Sequence, residues 1–502
     1  MKGLYDKLRE KSYSDYYPFH MPGHKRMVKD PFLENFPNPY SLDITEIWGF
    51  DNLHHPEGIL KESMERIAST YGADKSYYLV NGSSSGILSA ICGTTKCADT
   101  VIMSRNCHKS AYHGVFLNQL KVRYLYPQIV DDFGVQGGVD ADKLEDLLKT
   151  GESVSAVFIV SPTYDGVISD IKRLSGVCHG YGIPLIVDEA HGAHFRYGEM
   201  FPKPALDLGA DIVVQSLHKT LPSFTQTALL HVKKGYVDIE KIEYYLQIFQ
   251  SSSPSYLLMA GMERCVAFME AEGKLQMKKF EKNLSQVRKR LKEMKHLRLL
   301  DKSIVGSCGV YDLDDSKVVI SSRGTSVNGQ ELMDELRTQY HLEMEMCGAD
   351  YVTAITSVMD TQEGLKRLEN AFMAIDKEAD RRKDEEGNRE DRPQVQSDLW
   401  RKFCTEPEMT LYEAWKMEKI SIRLADSEGM ISGEFVYLYP PGIPLIVPGE
   451  TITGDAVSTI LSYRMSRLPV QGLKDYNGEY IEILEKEGSC DILMKCSTDS
   501  TP

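Results

Sequence analysis

The chain is 502 residues long, 42% hydrophobic, with a formal charge of −15. That length exceeds one compact core and predicts about two to four domains, while the negative balance gives no basic footprint for nucleic acid and favours at most a cationic small molecule. The opening MKGLYDKLREKSYSDYY lacks the apolar core of a signal peptide, no later stretch reaches the roughly 18 uninterrupted apolar residues of a membrane span, and the ten cysteines form no CxxC pair, so a soluble, cytoplasmic protein with reduced thiols and no metal is expected.

Residues 1–55, rich in Tyr, Pro, His and Asp without a clear period, read as an irregular arm. Leu60, Met64, Ile67 and Tyr71 then recur as one apolar helix face, which the chain can leave at Gly72. From there to about residue 235, apolar runs (YYLV ending at Val80, then VIM, VFIV, PLIV and DIVV) alternate with helical patterns, which predicts a mostly parallel sheet flanked by helices. Phe280, Leu284, Val287, Leu291 and Met294 mark a long helix leading out of this large domain, taken as 56–300. Residues 301–376 read as a small α+β domain, with KVVI as a strand, a helix over Glu331 to Tyr340, strands around EMEMCGAD and YVTAITSV, and a final helix. The stretch 377–396, dense in charge of both signs, reads as a solvated helix end or linker. Residues 397–502 form a separate C-terminal domain holding the run YLYPPGIPLIVPGE.

Three short motifs carry chemistry. Asn81-Gly82-Ser83-Ser84-Ser85-Gly86 stands between a strand and a helix, where free backbone N–H groups and serine hydroxyls suit a phosphate, although a capped turn reads the same way. Asp188-Glu189-Ala190-His191-Gly192 closes the strand PLIV, where open α/β sheets present ligand-binding groups. Asp188 there can keep a ring nitrogen protonated or simply cap the next helix; a metal site from Asp188, His191 and His194 lacks a clear third ligand set. Ser216-Leu217-His218-Lys219-Thr220 closes the strand DIVV, and a lysine desolvated at such a strand end stays nucleophilic enough to form a Schiff base.

The order of phosphate-type loop, aspartate after a strand and lysine after the next strand resembles the fold-type I pyridoxal-phosphate enzymes. The segments PFHMPGHK, RNCHKS, SPTYDG, DEAHGAHF, SLHKT, SSSPSY and YPPGIPLIVPGE further resemble the Orn/Lys/Arg decarboxylase family over almost the whole chain. The fold this implies is an α/β, aminotransferase-like large domain with the small and C-terminal domains appended. The resemblance implies that Lys219 carries pyridoxal 5'-phosphate, that Asp188 pairs with its ring nitrogen and that His108 stacks on the ring. It further implies that Ser83, Ser84 and Ser216 hold the phosphate with Gly82, Ser85 and His191 nearby, and that His218 transfers protons.

The activity implied is release of CO2 from arginine, lysine or ornithine to give agmatine, cadaverine or putrescine, for polyamine biosynthesis or acid resistance. A homodimer with shared active sites is implied, with SSSPSY and the arm approaching the partner's site, in a short form without the N-terminal regulatory domain of the large inducible members. Departures are TLPSFTQTALLHV after Lys219, with Pro222 and no glycine pair, and residues 451–502, which match no motif. The substrate's distal cation needs an acid, for which Glu46, Asp51, Asp165, Glu434 and Glu450 are candidates. A fold-type I aminotransferase or lyase shares Lys219 and Asp188, and a catalytically dead regulatory relative is the reading from another class.

Overall fold

The computed structural model describes residues 3–26, 38–386, 405–439, 442–465 and 468–485. The apolar runs of the large domain become strands because they are flanked by helices on both faces, so their side chains are buried with no polar alternation. The strands are β2 (Lys75–Leu79), β3 (Thr100–Ser104), β4 (Lys121–Leu125), β5 (Val154–Val160), β6 (Leu185–Asp188), β7 (Ile212–Ser216) and β8 (Ala228–Val232). They form one seven-stranded sheet in the order β2-β8-β7-β6-β5-β3-β4. Only β8 runs against its neighbours β7 and β2, while the pairs β7–β6, β6–β5, β5–β3 and β3–β4 are parallel. The parallel strands therefore present their carboxyl ends along one edge, the edge at which open α/β sheets bind ligands.

Three helices matter for the site. The first, Ile59–Tyr71, buries Leu60, Met64, Ile67 and Tyr71, the face the sequence marks. The second, Gly82–Thr94, begins at the serine loop, and the third, Lys109–Leu117, is capped by His108, whose ring accepts from Ser110 N–H. The long helix spans Lys274–Leu291 and buries Phe280, Leu284, Val287 and Leu291. Met294 lies just past its end, partly buried against the same core.

In the small domain, Arg298–Leu299, Lys317–Ser321, Tyr351–Ile355 and Met346–Cys347 make a four-stranded antiparallel sheet. The segment LEMEMC is split at Glu345. Leu342–Met344 pairs in parallel with β1 (Tyr17–Phe19), whereas Met346–Cys347 pairs with Tyr351–Ile355. The described part of the arm is thus more regular than its composition suggests, because β1 finds a strand edge and the segment just after it packs on the turn of Lys219. Gly23 N–H donates to the His218 carbonyl (2.7 Å) and the Ser357 hydroxyl donates to the Gly23 carbonyl (2.6 Å). A Cβ at Gly23 would stand 2.7 Å from the backbone of Leu221, so only glycine permits this approach.

Beyond the helix Gln362–Glu386, which takes in the first part of the charged stretch, residues 387–396 lie outside the described residues. The C-terminal region holds the antiparallel pair Lys419–Arg423 and Tyr480–Leu484, and a three-stranded sheet ordered Ile443–Ile446, Val436–Leu438, Val470–Gln471. It also holds the helix Gly454–Met465, in a part of the chain without a recognisable motif. Leu411 and Val447 of this region join the apolar core on one face of the large-domain sheet.

Candidate active site

A cavity of about 390 Å³ opens at the carboxyl edge of the sheet, within the size of small-molecule sites. Gly82, Ser83, Ser84, His108, Asp188, His191, His218 and Lys219 all line it. They arrive from separate strand ends: the serines after β2, His108 after β3, Asp188 at the end of β6 and Lys219 just beyond β7.

Two expected residues stand elsewhere. Ser85 is buried and its hydroxyl donates to the Gly82 carbonyl (2.8 Å), because the helical turn that leaves Ser83 and Ser84 on the cavity rotates the next side chain inward. Ser216 is fully buried and does not line the cavity, and its hydroxyl has no partner among the described residues.

The charged groups are tuned by burial. Lys219 Nζ donates to His191 Nε2 (3.0 Å). Burial pulls the Lys219 amine below the ordinary lysine range, and Asp188 and Glu345 partly counter this. Burial also raises the Asp188 carboxyl, with Lys219 acting in the opposite direction; its Oδ1 accepts from Ala190 N–H (3.0 Å). His218 Nδ1 donates to the Thr227 carbonyl (2.9 Å), which leaves Nε2 as the free lone pair of a neutral ring. Burial lowers its pKa to about 4 and that of His108 to about 3. His191 is buried too, with its Nδ1 unpartnered among the described residues and its ring 4.5 Å from that of Tyr164.

His194, the other histidine of that motif, leaves the cavity. It pairs with Asp314 (3.1 Å), which also meets the buried Lys317 (3.3 Å).

Glu345, Tyr164, Asn106 and Tyr439 also line the cavity. Glu345 accepts from the Tyr164 hydroxyl and from Met21 N–H (2.8 Å). Asp188 and Glu345 are the two carboxylates lining the cavity among the described residues. None of the five acids singled out from the sequence lies there. Asp51 accepts from Gly58 and Leu60 N–H at the start of a helix, and Asp165 is held by Tyr351 and Thr353. Glu434 accepts from the N–H groups of Lys474 and Glu482, and Glu450 pairs with Arg105. Glu46, on the arm, stands away from the cavity lining. Asn106, Tyr164 and Tyr439 sit inside or beside family-like segments, whereas only the break between two short strands exposes Glu345.

A helix N-terminus with two hydroxyls, a sheltered carboxylate and a desolvated amine around one cavity match the phosphate, ring nitrogen and aldehyde of pyridoxal phosphate. The buried, unpartnered Asn106 Oδ1 on the cavity wall is a further polar group awaiting a ligand. Fold and site thus define a fold-type I pyridoxal-phosphate enzyme. The description "Orn/Lys/Arg decarboxylase, major domain" matches residues 2–328, and "Orn/Lys/Arg decarboxylase, C-terminal domain" matches residues 393–473. The chain belongs to the Orn/Lys/Arg decarboxylase family and is an amino acid decarboxylase.

Among its relatives, an arginine decarboxylase of Bacillus subtilis (strain 168) is 29% identical over 96% of this chain and 98% of its own. An uncharacterized protein of the same organism, YaaO, is 32% identical over 97% of this chain and 99% of its own. Among solved structures, the Escherichia coli constitutive lysine decarboxylase superposes with a TM-score of 0.73 at 20% identity, over 96% of this chain and 81% of its own. No helix among the described residues is long and apolar enough to cross a membrane.

Proposed function

We propose that the enzyme releases CO2 from a basic L-amino acid, arginine, lysine or ornithine, and returns the corresponding amine. The observation that carries this reading is one cavity with two carboxylates of different surroundings: Asp188 beside Lys219, and Glu345 fixed by Tyr164 and the arm. A dicationic, monoanionic substrate needs a counter-charge beyond the one used by the cofactor ring, because an unpaired buried cation costs several kcal/mol.

In this reading Lys219 would hold pyridoxal phosphate through its amine, with Asp188 as partner for the ring nitrogen, His108 for the ring, and Ser83 and Ser84 for the phosphate; Ser216, buried off the cavity, is not among the phosphate's ligands. When bound, the cofactor supplies the sink for the electron pair left by departing CO2. Burial lowers the Lys219 amine toward the neutral form that reacts, and His191 Nε2 gives the amine a fixed acceptor when it is free. His218 Nε2, a neutral lone pair at the same cavity, is suited to hold the proton that returns to Cα. Glu345 receives the distal ammonium or guanidinium, and its bonds from Tyr164 and Met21 orient it in advance.

The fold-type I dimer completes the proposal. Tyr40 and Trp48 of the arm are 91% and 100% exposed, large apolar groups suited to a second copy of the chain. Incubation of the pure protein with each basic amino acid, with CO2 and amine both measured, tests the activity. Stoichiometric CO2 and amine from at least one of them is the expected result; amino transfer to a keto acid without gas release overturns it.

A further inference from the structure

A buried ion pair ties two family-like segments that are far apart in the chain. Arg105 opens RNCHKS and Glu450 closes YPPGIPLIVPGE, and both side chains are 3% exposed. Every arm of the guanidinium is used. Nε and Nη2 donate to the two Glu450 oxygens (3.2 and 2.9 Å), Nη1 to the Pro444 carbonyl (2.7 Å) and the Tyr112 hydroxyl (3.1 Å), and Nη2 also to the Leu445 carbonyl (3.3 Å). Glu450 accepts in addition from Val447 N–H (3.1 Å).

Burying such a pair has a large desolvation cost, and apolar groups of similar volume often stabilise a fold as well. What the pair provides that apolar groups cannot is a single alignment of the two segments.

That alignment reaches the active site from both partners. His108 follows Arg105 closely and lines the cavity, and Ile443 and Tyr439 precede Glu450 and line the same cavity. The two sides touch. Lys109 N–H donates to the Gly442 carbonyl (3.3 Å), and the Lys109 ammonium lies over the rings of Tyr437 (5.3 Å) and Tyr439 (5.6 Å). At Gly442, with φ +84°, a Cβ would stand 3.4 Å from the His108 ring, so the backbone of the C-terminal region closes on that ring.

We infer that Arg105 and Glu450 are positioning residues that set Tyr439 and Ile443 as the wall selecting the substrate's side chain, while holding His108 in register. The wall suits the methylene stem of a basic amino acid, whose apolar length packs against a ring and a branched chain while the charged head lies beyond. This inference rests on the decarboxylase reading above.

The test compares the parent holoenzyme with Arg105→Met/Glu450→Leu, which replaces the pair by apolar volume, and with Tyr439→Ala, which leaves the pair intact. For both variants we expect a roughly ten-fold rise in KM with kcat within about three-fold, and a narrowing of the preference among arginine, lysine and ornithine by about ten-fold, the scale on which apolar walls discriminate. Calorimetry should show weaker binding of the product amine in parallel. The double variant alone should also change the circular dichroism of the cofactor's visible band through His108.

A folded double variant with the parent's KM, selectivity and amine affinity overturns the inference. If that variant does not fold, unchanged selectivity in Tyr439→Ala overturns it instead. Failure of the parent to release CO2 from any of the three amino acids would sink the decarboxylase reading, and amine calorimetry would still judge the wall.

Discussion

Lys219, Asp188 and the pair Ser83 and Ser84 hang from the ends of strands in one sheet, whereas Glu345, Met21 and Tyr439 reach the same cavity from the small domain, the arm and the C-terminal region. On the sheet side each group is fixed by its own strand ladder and by short local bonds, such as Ala190 N–H to Asp188. On the other side, the Glu345 carboxylate takes its bonds from partners distant in sequence, Tyr164 and Met21. The first wall needs one domain to fold, and the second needs several segments to assemble. Loss on the sheet side should therefore remove chemistry outright, and loss on the other side should weaken substrate binding.

The largest effect is expected for Lys219→Ala. If Lys219 is the amine that carries the cofactor, as proposed, the visible cofactor band should vanish and activity should fall by on the order of 10⁴-fold, the upper end of what one group acting in the transition state contributes. Absorbance after addition of pyridoxal phosphate and a CO2 assay read both. An unchanged band in the variant would mean that another group carries the cofactor.

Glu345→Gln sharpens the contrast. A hydrogen bond to a charged group is worth about 1.5–3 kcal/mol, so KM for the basic amino acid should rise roughly 10- to 100-fold with the cofactor band intact. Steady-state kinetics beside the absorption spectrum check this. A lost band would place Glu345 with the cofactor rather than with the substrate.

The same contrast explains what could be read from the chain. Asp188 directly closes one continuous apolar run and Lys219 stands in the polar turn just beyond another, and such positions are visible without knowing the tertiary structure. Glu345 alternates with Met344 and Met346, so it reads as the solvent side of an ordinary strand. Its orientation depends on the strand changing partners there, from β1 to Tyr351–Ile355, which no local pattern encodes. Asp51, Asp165, Glu434 and Glu450 look equally available in sequence, and only the folded chain shows each committed to bonds elsewhere. Strand β8 was hidden for a related reason, since an antiparallel strand inside a parallel sheet is as apolar as its neighbours.

Behind Asp188, the sheet side carries a buried polar ladder that offers a subtler test. Glu189 accepts from Ala205 N–H (2.8 Å) and Gln215 Nε2 (2.6 Å), Gln215 accepts from His231 (3.3 Å), and His231 from the Ser76 hydroxyl (2.7 Å). Burial pushes the Glu189 carboxyl up to about 8 from the ordinary 4.5. The folded chain then holds a proton that the unfolded chain has released between those values, so this group's stability contribution is complete below about 4.5 and is lost as pH rises through 8. One proton corresponds to a slope of up to about 1.4 kcal/mol per pH unit. His108 and His218, with lowered pKa values, act in the opposite direction, but only below the ordinary histidine value of 6.5. Denaturant unfolding between pH 6.5 and 8 should therefore show Glu189→Gln with a flatter pH dependence than the parent. Identical slopes would mean that Glu189 is ionised in the folded protein.

The smallest effect is expected at Ser85, and it bears on how strictly the sheet side divides cofactor contact from helix packing. Its hydroxyl is spent on the Gly82 carbonyl (2.8 Å) and faces away from the cavity, unlike its two neighbours. Ser85→Ala should cost about 1 kcal/mol of stability, the worth of one ordinary hydrogen bond, and leave the affinity for pyridoxal phosphate unchanged. Ser83→Ala and Ser84→Ala should each weaken that affinity, because both residues line the cavity at the helix N-terminus proposed for the phosphate. Equilibrium dialysis of the three variants against free cofactor separates the two roles, and a loss at Ser85 equal to that at Ser84 would mean that the first helical turn rearranges around the phosphate.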